Sequence, residues 1–323
     1  MKDNLPGLTE VQAAARRIGS SVNTTPVLRS RRLDAALGAE LHFKCENLQR
    51  TGAFKIRGAS NAVRSLDDAE AAAGVATHSS GNHGAALAAA ASDRGITAHI
   101  VVPEGAVPSK LANIKRHGGR IIPCKPTLAD RTRVLEEVVA ESGATVIHPY
   151  NDPRIIAGQG TAGLELAGQV PGLDVVIVPV GGGGLISGCS IALKGMNPDI
   201  RVIGAEPAGA DDAVRSLAAG EIIDDIDPDT IADGLRATIG PLTFALIREH
   251  VDRIVTMSDD EILAAMRRLW ECLKIIVEPS SATVLAAAEQ YRDELRGKRV
   301  GLILSGGNVD LDRIAFCARC GVG

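Results

Sequence analysis

The chain has 323 residues, of which 45% are hydrophobic and 23% are charged, a balance typical of a globular protein with one large α/β domain or two closely joined ones. Its formal net charge is −4 and only 2% of its residues are aromatic, so neither a basic surface nor a base-stacking platform favours nucleic acid as a partner. Without an apolar run of the roughly 20 residues that a membrane span needs, or a signal sequence at its start, we expect a cytoplasmic protein with reduced cysteines.

Short runs rich in Val and Ile alternate with longer helical patterns along the chain, and these runs predict strands buried on both faces of a parallel sheet. The predicted strands are Leu41–Cys45, Val75–His78, Thr97–Val102, Arg120–Pro123, Thr145–His148, Asp174–Val180, Arg201–Ala205, Arg253–Met257 and Arg299–Leu304. The predicted helices are Glu10–Gly19, Lys55–Leu66, His83–Arg94, Leu128–Glu141, Ile155–Leu166, Asp259–Cys272 and Ser281–Tyr291. The predicted N-caps are Thr9, Ser258 and Ser280. This alternation predicts an α/β fold of mostly parallel sheets covered by helices, with ligands at the carboxyl ends of the strands.

A run of four glycines, Gly181 to Gly184, follows one of these predicted strands, and Leu185 begins a helical pattern directly after it. Backbone N–H groups in such a loop can converge on an anion, with help from the positive end of the helix dipole. The loop lacks the lysine of a P-loop and the spacing of a dinucleotide-binding motif. It therefore predicts a ligand with a single phosphate group, and a flexible turn is the alternative.

Three further loops carry polar groups suited to chemistry. Lys55 opens a predicted helix behind Phe54, and a lysine whose pKa is lowered, here by Arg57, can form a Schiff base. The segment Ser79–His83 collects hydroxyl, amide and backbone N–H groups at a helix start, which predicts either a carboxylate cradle or an ordinary cap. Ser305 follows the last strand and could face a heteroaromatic nitrogen or only occupy a turn. Together these groups are what pyridoxal phosphate and an amino acid would need.

With these motifs the chain resembles the pyridoxal-phosphate enzymes of the tryptophan-synthase-β type (fold type II), in the threonine/serine dehydratase and serine racemase family. The segments that carry the resemblance are Thr25–Leu28, Phe43–Asn47, the Lys55 motif, Ser79–His83, Ile156–Thr161, the tetraglycine loop, Ala232–Gly234, Glu278–Ser280 and Ser305–Asp310. The resemblance implies a large cofactor-binding domain of residues 1–73 and 150–323, a small substrate-gating domain of residues 74–149, and a homodimer.

The resemblance also implies roles for individual residues. Lys55 would carry the cofactor and later remove the Cα proton, and Ser80 would lie on the opposite face of the ring, where racemases use it as a second base. The implied cofactor contacts are Phe54, Lys55, Asn82, Gly181, Gly182, Gly183, Gly184, Leu185 and Ser305. The implied substrate contacts are Ser79, Ser80, Gly81, Asn82, His83, Arg131 and Thr238. A hydroxyl group at the ring nitrogen leaves that nitrogen largely unprotonated, which suits β-elimination.

A divalent-cation site is implied by the match of the segment Glu206–Asp212 to the racemase branch. The ligands would be the carboxylates of Glu206 and Asp212 and the carbonyl oxygen of Ala210, with water molecules completing a shell for Mg²⁺, Ca²⁺ or Mn²⁺. The alternative is an acidic, solvated turn. Cys317 and Cys320 form one CxxC pair, which without a second ligand pair does not predict a zinc site.

The function implied is an ammonia-lyase acting on a β-hydroxy-α-amino acid: 3-hydroxyaspartate, threonine or serine. The alternatives are an amino-acid racemase and a catalytically silent cofactor-binding protein. Ala53 replaces a serine common in threonine dehydratases and racemases, and Tyr150 stands where animal serine racemases have asparagine. Ala53 and the segment His148–Pro153 look more like the 3-hydroxyaspartate dehydratases. Arg131 could hold a β-carboxylate through two hydrogen bonds, and the absence of a regulatory domain after Asp310 favours a catabolic enzyme.

Overall fold

The structure, a computed structural model, describes residues 5–310, so Cys317 and Cys320 lie outside the described residues. The helices are α1 Leu8–Ile18, α2 Arg31–Leu37, α3 Lys55–Arg64, α4 Asp68–Ala73, α5 Asn82–Arg94, α6 Pro108–Arg116, α7 Leu128–Ser142, α8 Pro153–Gln169, α9 Gly184–Met196, α10 Asp212–Ala219, α11 Pro241–His250, α12 Asp259–Leu273, α13 Pro279–Gln290 and α14 Arg292–Leu295. The strands are β1 Val27–Leu28, β2 Glu40–Cys45, β3 Val75–His78, β4 Ala98–Pro103, β5 Arg120–Cys124, β6 Thr145–Val146, β7 Val175–Pro179, β8 Arg201–Pro207, β9 Arg253–Met257 and β10 Arg299–Leu304. Within this range, no helix is both long and apolar enough to cross a membrane.

Two sheets organise the fold. One has the strand order β1-β2-β10-β7-β8-β9 and is parallel except for the β1–β2 pair, and the other has the order β5-β4-β3-β6 and is parallel throughout. The predicted α/β fold with mostly parallel sheets is therefore confirmed. The second sheet is built from residues 75–146, whereas the domain limits at residues 74 and 149 stay a prediction.

The buried strands of the larger sheet explain why the sequence shows apolar runs rather than alternation. Val175 and Ile177 face the cluster that contains α12 and α13, and Val176 and Val178 face the cluster that contains α9. Both faces of the central strand are thus covered by helices, as expected for a parallel sheet.

Two of the predicted helix caps are wrong. Ser258 caps α12, with its hydroxyl group 3.4 Å from the backbone nitrogen of Glu261. Thr9, however, lies inside α1, whose N-cap is Gly7, and Ser280 lies inside α13, whose N-cap is Glu278. Pro279 explains the second case, because proline suits the first position of a helix.

Three helices, α3, α8 and α9, pack side by side through glycines. A Cβ atom on Gly158 would lie 2.6 Å from the Cα atom of Gly58, and one on Gly188 would lie 2.2 Å from the carbonyl oxygen of Ile156. Since α3 begins at Lys55 and α9 begins at the tetraglycine loop, this packing fixes the relative positions of two of the loops that the sequence singled out.

We expect the replacement Gly188→Ala to destabilise the protein by about 1–3 kcal/mol, because the added methyl group overlaps backbone atoms that cannot move aside independently. Gly168→Ala in α8 is the matched control: no atom of residues 5–310 lies within 4 Å of its Cβ position, so alanine should stabilise the helix by about 0.5–1 kcal/mol. Urea unfolding of both variants measures the difference in their free energies of unfolding, and equal midpoints would contradict the close packing.

Candidate active site

Lys55 is the first residue of α3 and its side chain is half-buried. Its Nζ atom donates a hydrogen bond to the carbonyl oxygen of Pro149 at 2.8 Å and lies 5.1 Å from the centre of the Phe54 ring. Burial lowers the pKa of Lys55 to about 8, although the charge of Glu278 acts in the opposite direction. A substantial fraction of the amine is therefore neutral in mildly alkaline solution, and the neutral amine is the nucleophilic form.

Arg57 is not the cause of this shift, contrary to the expectation from the sequence. Its guanidinium group is fully buried, with Nε 2.6 Å from Glu46 Oε2 and Nη1 2.7 Å from Glu165 Oε1. Burial disfavours its charge, but the two carboxylates outweigh burial and raise the pKa of Arg57. The charge of Arg57 is thus neutralised locally, and the residue instead ties α3 to α8.

The tetraglycine loop is enclosed so tightly that larger residues would not fit. A Cβ atom on Gly182 would lie 2.4 Å from the ring of Tyr150, and one on Gly181 would lie 2.8 Å from the Cα atom of Leu235. Gly183 has φ +84°, and as the N-cap of α9 it provides no side chain to bond the first N–H groups of that helix. An uncapped helix start after a glycine loop fits a phosphate group.

Tyr150 is the residue at this loop that sequence reasoning did not assign to the site. Its hydroxyl group lies beside Thr238, which lowers the pKa of Tyr150, but burial has the larger effect and raises it. Because Pro149, the preceding residue, accepts the hydrogen bond of Lys55, one short segment joins the lysine to the glycine loop. Thr238 lies on the Tyr150 side of the site.

Ser305 is brought next to the lysine segment by main-chain contacts. The backbone N–H of Phe54 donates to the carbonyl oxygen of Ser305 at 3.0 Å, and Ala53 forms a β-bridge with Gly306. The Ser305 hydroxyl is 3.1 Å from the hydroxyl of Ser281, a buried residue of α13. Ser281, which the sequence did not single out, therefore fixes the orientation of Ser305.

Asn82, the first residue of α5, has its amide orientation fixed by two neighbours. Its Nδ2 atom donates to both carboxylate oxygens of Glu278, at 3.0 and 3.2 Å, and its Oδ1 atom accepts from Asn308 Nδ2 at 2.9 Å. Burial raises the pKa of Glu278 to about 7, assisted by the charge of Asp233 and opposed by the bonds from Asn82 and Asn308. Glu278 and Asn308 both lie in the recognised motifs, but only the structure shows this contact.

The other expected substrate residues gather at the carboxyl end of β3. The Oγ atom of Ser79 accepts from the N–H groups of Gly81 and Gly84, at 3.3 and 3.2 Å, and Ser80 lies between Ser79 and Gly81 in the same loop. His83 Nε2 is 3.2 Å from the Ile147 carbonyl oxygen, and burial lowers the pKa of His83 to about 3, so it is neutral.

Arg131 lies in the first turn of α7 and reaches the same end of β3. Its charge acts on His78, the last residue of that strand. Its Nη2 atom is 3.4 Å from the carbonyl oxygen of Pro126, and its Nε atom is buried with no partner among residues 5–310. No carboxylate within that range bonds this guanidinium group, so it is available to bind an anion.

The expected cation ligands lie together in a different place. The carboxylate of Glu206 accepts from the N–H groups of Ala213 and Val214 at 2.9 and 3.0 Å, while Asp212 Oδ2 accepts from Ile239 at 2.8 Å. Burial raises the pKa of Glu206 to about 8 and that of Asp212 to about 6.

One oxygen of this acidic pair, Asp212 Oδ1, is buried without a partner in the described part of the chain, and Ala210 is buried in the adjoining turn. Two buried acids with a free oxygen fit a hard divalent cation. No group of three or more His, Cys, Asp or Glu suited to a metal occurs among residues 5–310, so such a cation would depend on carbonyl and water oxygens as well.

Comparison with known proteins gives consistent similarities. The model of the family described as pyridoxal-phosphate dependent enzymes matches residues 18–306. A beta-hydroxyaspartate dehydratase from Paracoccus denitrificans is 50% identical over 97% of this chain and 99% of its own length. An L-threo-3-hydroxyaspartate ammonia-lyase from Saccharomyces cerevisiae is 45% identical over 96% of both chains. The structure of maize serine racemase superposes with a TM-score of 0.92 and 49% identity, covering 95% of this chain and 94% of the maize chain.

Proposed function

This chain belongs to the family of pyridoxal-phosphate dependent enzymes, and we propose that it is an ammonia-lyase that eliminates water from 3-hydroxyaspartate. The observation that carries the chemistry is the convergence of Lys55, the uncapped glycine start of α9 and the Ser305 hydroxyl around one site. The observation that favours this substrate is Arg131, whose guanidinium group has no carboxylate partner among residues 5–310 and acts on His78, the residue directly before the Ser79–His83 loop.

Each group of this chain would contribute one element of the reaction. Pyridoxal phosphate, when bound, supplies an electron sink for the charge that develops at the substrate Cα atom. The N–H groups of Gly181 to Leu185 would hold its phosphate, with Phe54 beside its ring, Asn82 at its ring oxygen and Ser305 at its ring nitrogen. The amine of Lys55 would anchor the cofactor and then take the Cα proton.

The substrate would be oriented by groups at the amino end of α5 and at Arg131. N–H groups and side chains of Ser79 to His83, with Thr238, would bind the α-carboxylate, because a helix start favours an anion. Arg131 would bind the β-carboxylate. Loss of the Cα proton and the β-hydroxyl group removes one water molecule, and hydrolysis of the resulting imine then returns one, giving oxaloacetate and ammonia.

A racemase is the second candidate, because the maize serine racemase is 49% identical and Ser80 is present in this chain. In that reaction Lys55 and Ser80 would serve as the two bases on opposite faces of Cα.

The experiment that tests the proposed function is a screen for keto-acid release with threonine, serine, phenylserine and the stereoisomers of 3-hydroxyaspartate. We expect one or more hydroxyaspartate isomers to have the highest kcat/KM. Activity confined to threonine or serine would instead identify a plain threonine/serine dehydratase.

We propose that Glu206, Ala210 and Asp212 bind Mg²⁺, or Ca²⁺ or Mn²⁺ in its place. The support is the buried acidic pair and the unpartnered Asp212 Oδ1 atom, since a cation would offset the repulsion and desolvation that now raise both pKa values.

Adding Mg²⁺ at 100 times its dissociation constant is expected to stabilise the fold by about 2.7 kcal/mol, seen as a rise in Tm. Asp212→Asn should remove this rise. Asp211→Asn should retain it, because Asp211 is partly exposed and lies within 3.5 Å of Arg215. A Tm unaffected by both Mg²⁺ and a chelator would contradict the site.

We also propose that residues 74–149 act as a gating domain. Support comes from the contacts that this segment makes with the rest of the chain: Asn82 bonds Glu278, and Lys110 of α6 forms an ion pair with Asp233. The expected homodimer and cytoplasmic location stay predictions.

A further inference from the structure

Three histidines surround the carboxyl end of β3. Ala76 of β3 pairs with Val146 of β6, and Ile147 continues this ladder by donating to the Ala76 carbonyl oxygen. Because the strands are parallel, the same register places His78 beside His148. His83, in the first turn of α5, completes the cluster through its contact with the Ile147 carbonyl oxygen.

The three rings differ in how their nitrogens are bonded. His148 Nδ1 accepts from the N–H groups of Tyr150 and Asn151, at 3.3 and 2.9 Å, so its proton is on Nε2. His83 Nε2 bonds to a carbonyl oxygen and its Nδ1 has no partner within residues 5–310. The His78 ring makes no hydrogen bond to any residue in the same range, although the ring is half-buried.

The surroundings of these rings are positive rather than negative. Arg131 of α7 faces His78, and Lys55 acts on both His83 and His148. The carboxylates that lie nearest are already engaged: Asp152 is 2.7 Å from Arg154, and Glu278 is bonded to Asn82.

We propose that His78 is a specificity-determining residue that, together with Arg131, holds the second carboxylate of a dicarboxylic amino acid. The proposal rests on the proposed function and names a further group of the same site. His78 is the member of the cluster whose two ring nitrogens both lack a hydrogen-bond partner among residues 5–310, and it lies directly before the Ser79–His83 loop that would bind the α-carboxylate. The guanidinium group of Arg131 on α7 is thereby supplemented by a second hydrogen-bond donor at the end of β3.

Binding of a dicarboxylate should change the protonation of His78. Burial, and then the charge of Arg131, lower the pKa of His78, so both disfavour the protonated ring before ligand binds. The groups that act on its ring or are acted on by it are Arg131 from α7, His83 from α5 and His148 after β6, and Lys55 from α3 acts on those two histidines. An arriving carboxylate supplies the opposite charge and raises the pKa of His78. Binding should therefore take up a proton, and affinity should fall as the pH rises.

The experiment uses holoenzyme and two ligands that have no Cα proton to lose, 2-methylaspartate and 2-methylserine. Calorimetric titration in buffers of different ionisation enthalpy counts the protons taken up with each ligand. We expect up to about one more proton with 2-methylaspartate than with 2-methylserine. In His78→Gln this difference should vanish, and kcat/KM for 3-hydroxyaspartate should fall about tenfold or more, while 2-methylserine binding stays within about twofold.

His99→Gln is the matched control, since His99 is a buried histidine of the neighbouring strand β4 that pairs with Arg120, towards the other end of the sheet. In His99→Gln, binding of 2-methylaspartate should still take up more protons than binding of 2-methylserine. An equal proton difference in the wild type and in His78→Gln would overturn the role of His78. A wild-type enzyme that binds 2-methylserine but not 2-methylaspartate would refute the proposed substrate instead, so the two failures are distinguishable.

Discussion

Replacing Lys55 by alanine is expected to remove nearly all turnover and the yellow colour of the cofactor bound through this lysine. The amine belongs to a half-buried side chain at the start of α3 and is held towards the site by the carbonyl oxygen of Pro149. Loss of the base alone corresponds to about a 100- to 10,000-fold decrease in kcat, and loss of the covalent anchor adds to it. Absorbance spectra and single-turnover rates of the purified variant measure both effects.

Lys194→Ala is the control for this prediction. Lys194 lies in the last turn of α9, far along the helix from the glycine loop, and its ammonium group is paired with Asp252 at 2.9 Å. The variant should keep its colour and rate. Full activity in Lys55→Ala would refute the assignment of the lysine.

Replacing Arg131 by alanine is expected to reduce kcat/KM for 3-hydroxyaspartate by about 10- to 150-fold, the equivalent of one charged hydrogen bond of about 1.5–3 kcal/mol. The rate with serine should change little, because serine has no second carboxylate for the guanidinium group to bind. Steady-state kinetics with both substrates gives the ratio of kcat/KM for 3-hydroxyaspartate to kcat/KM for serine, which should fall in the variant.

Arg133→Ala separates this effect from a general loss of positive charge on α7. Arg133 is exposed and already paired, 2.6 Å from Asp130 and 2.5 Å from Glu137, so both rates should stay near those of the wild type. An equal decrease in kcat/KM for the two substrates in Arg131→Ala would contradict binding of the β-carboxylate and indicate a structural role for the arginine.

The strands could be predicted because burial on both faces produces continuous apolar runs, and every predicted run overlaps an observed strand. Helices α2, α4, α6, α10, α11 and α14 were not predicted. Each of these six helices has ten residues or fewer, which gives too few turns for a clear periodicity. β1 has two residues and pairs antiparallel with β2, and no pattern of that length is informative.

The candidate site shows the same division between local and long-range information. The glycine loop, Lys55 and the Ser79–His83 loop are local motifs, and a sequence displays them directly. The burial of Arg57 between Glu46 and Glu165, and the bond from Asn82 to Glu278, join residues from 11 to 196 positions apart. No short stretch of sequence shows that such residues are in contact. The sequence therefore points to Arg57 as the cause of the lowered Lys55 pKa, and it marks Tyr150 only as a departure from the family.

The central claim is elimination from 3-hydroxyaspartate, and the most direct measurement is the product balance of one reaction. Purified holoenzyme is incubated with the most reactive hydroxyaspartate stereoisomer, and ammonia, keto acid and remaining substrate stereoisomers are quantified over time. We expect ammonia and keto acid to appear in equal amounts until the substrate is consumed, with no second stereoisomer accumulating. Accumulation of another stereoisomer without ammonia would contradict an ammonia-lyase and identify a racemase.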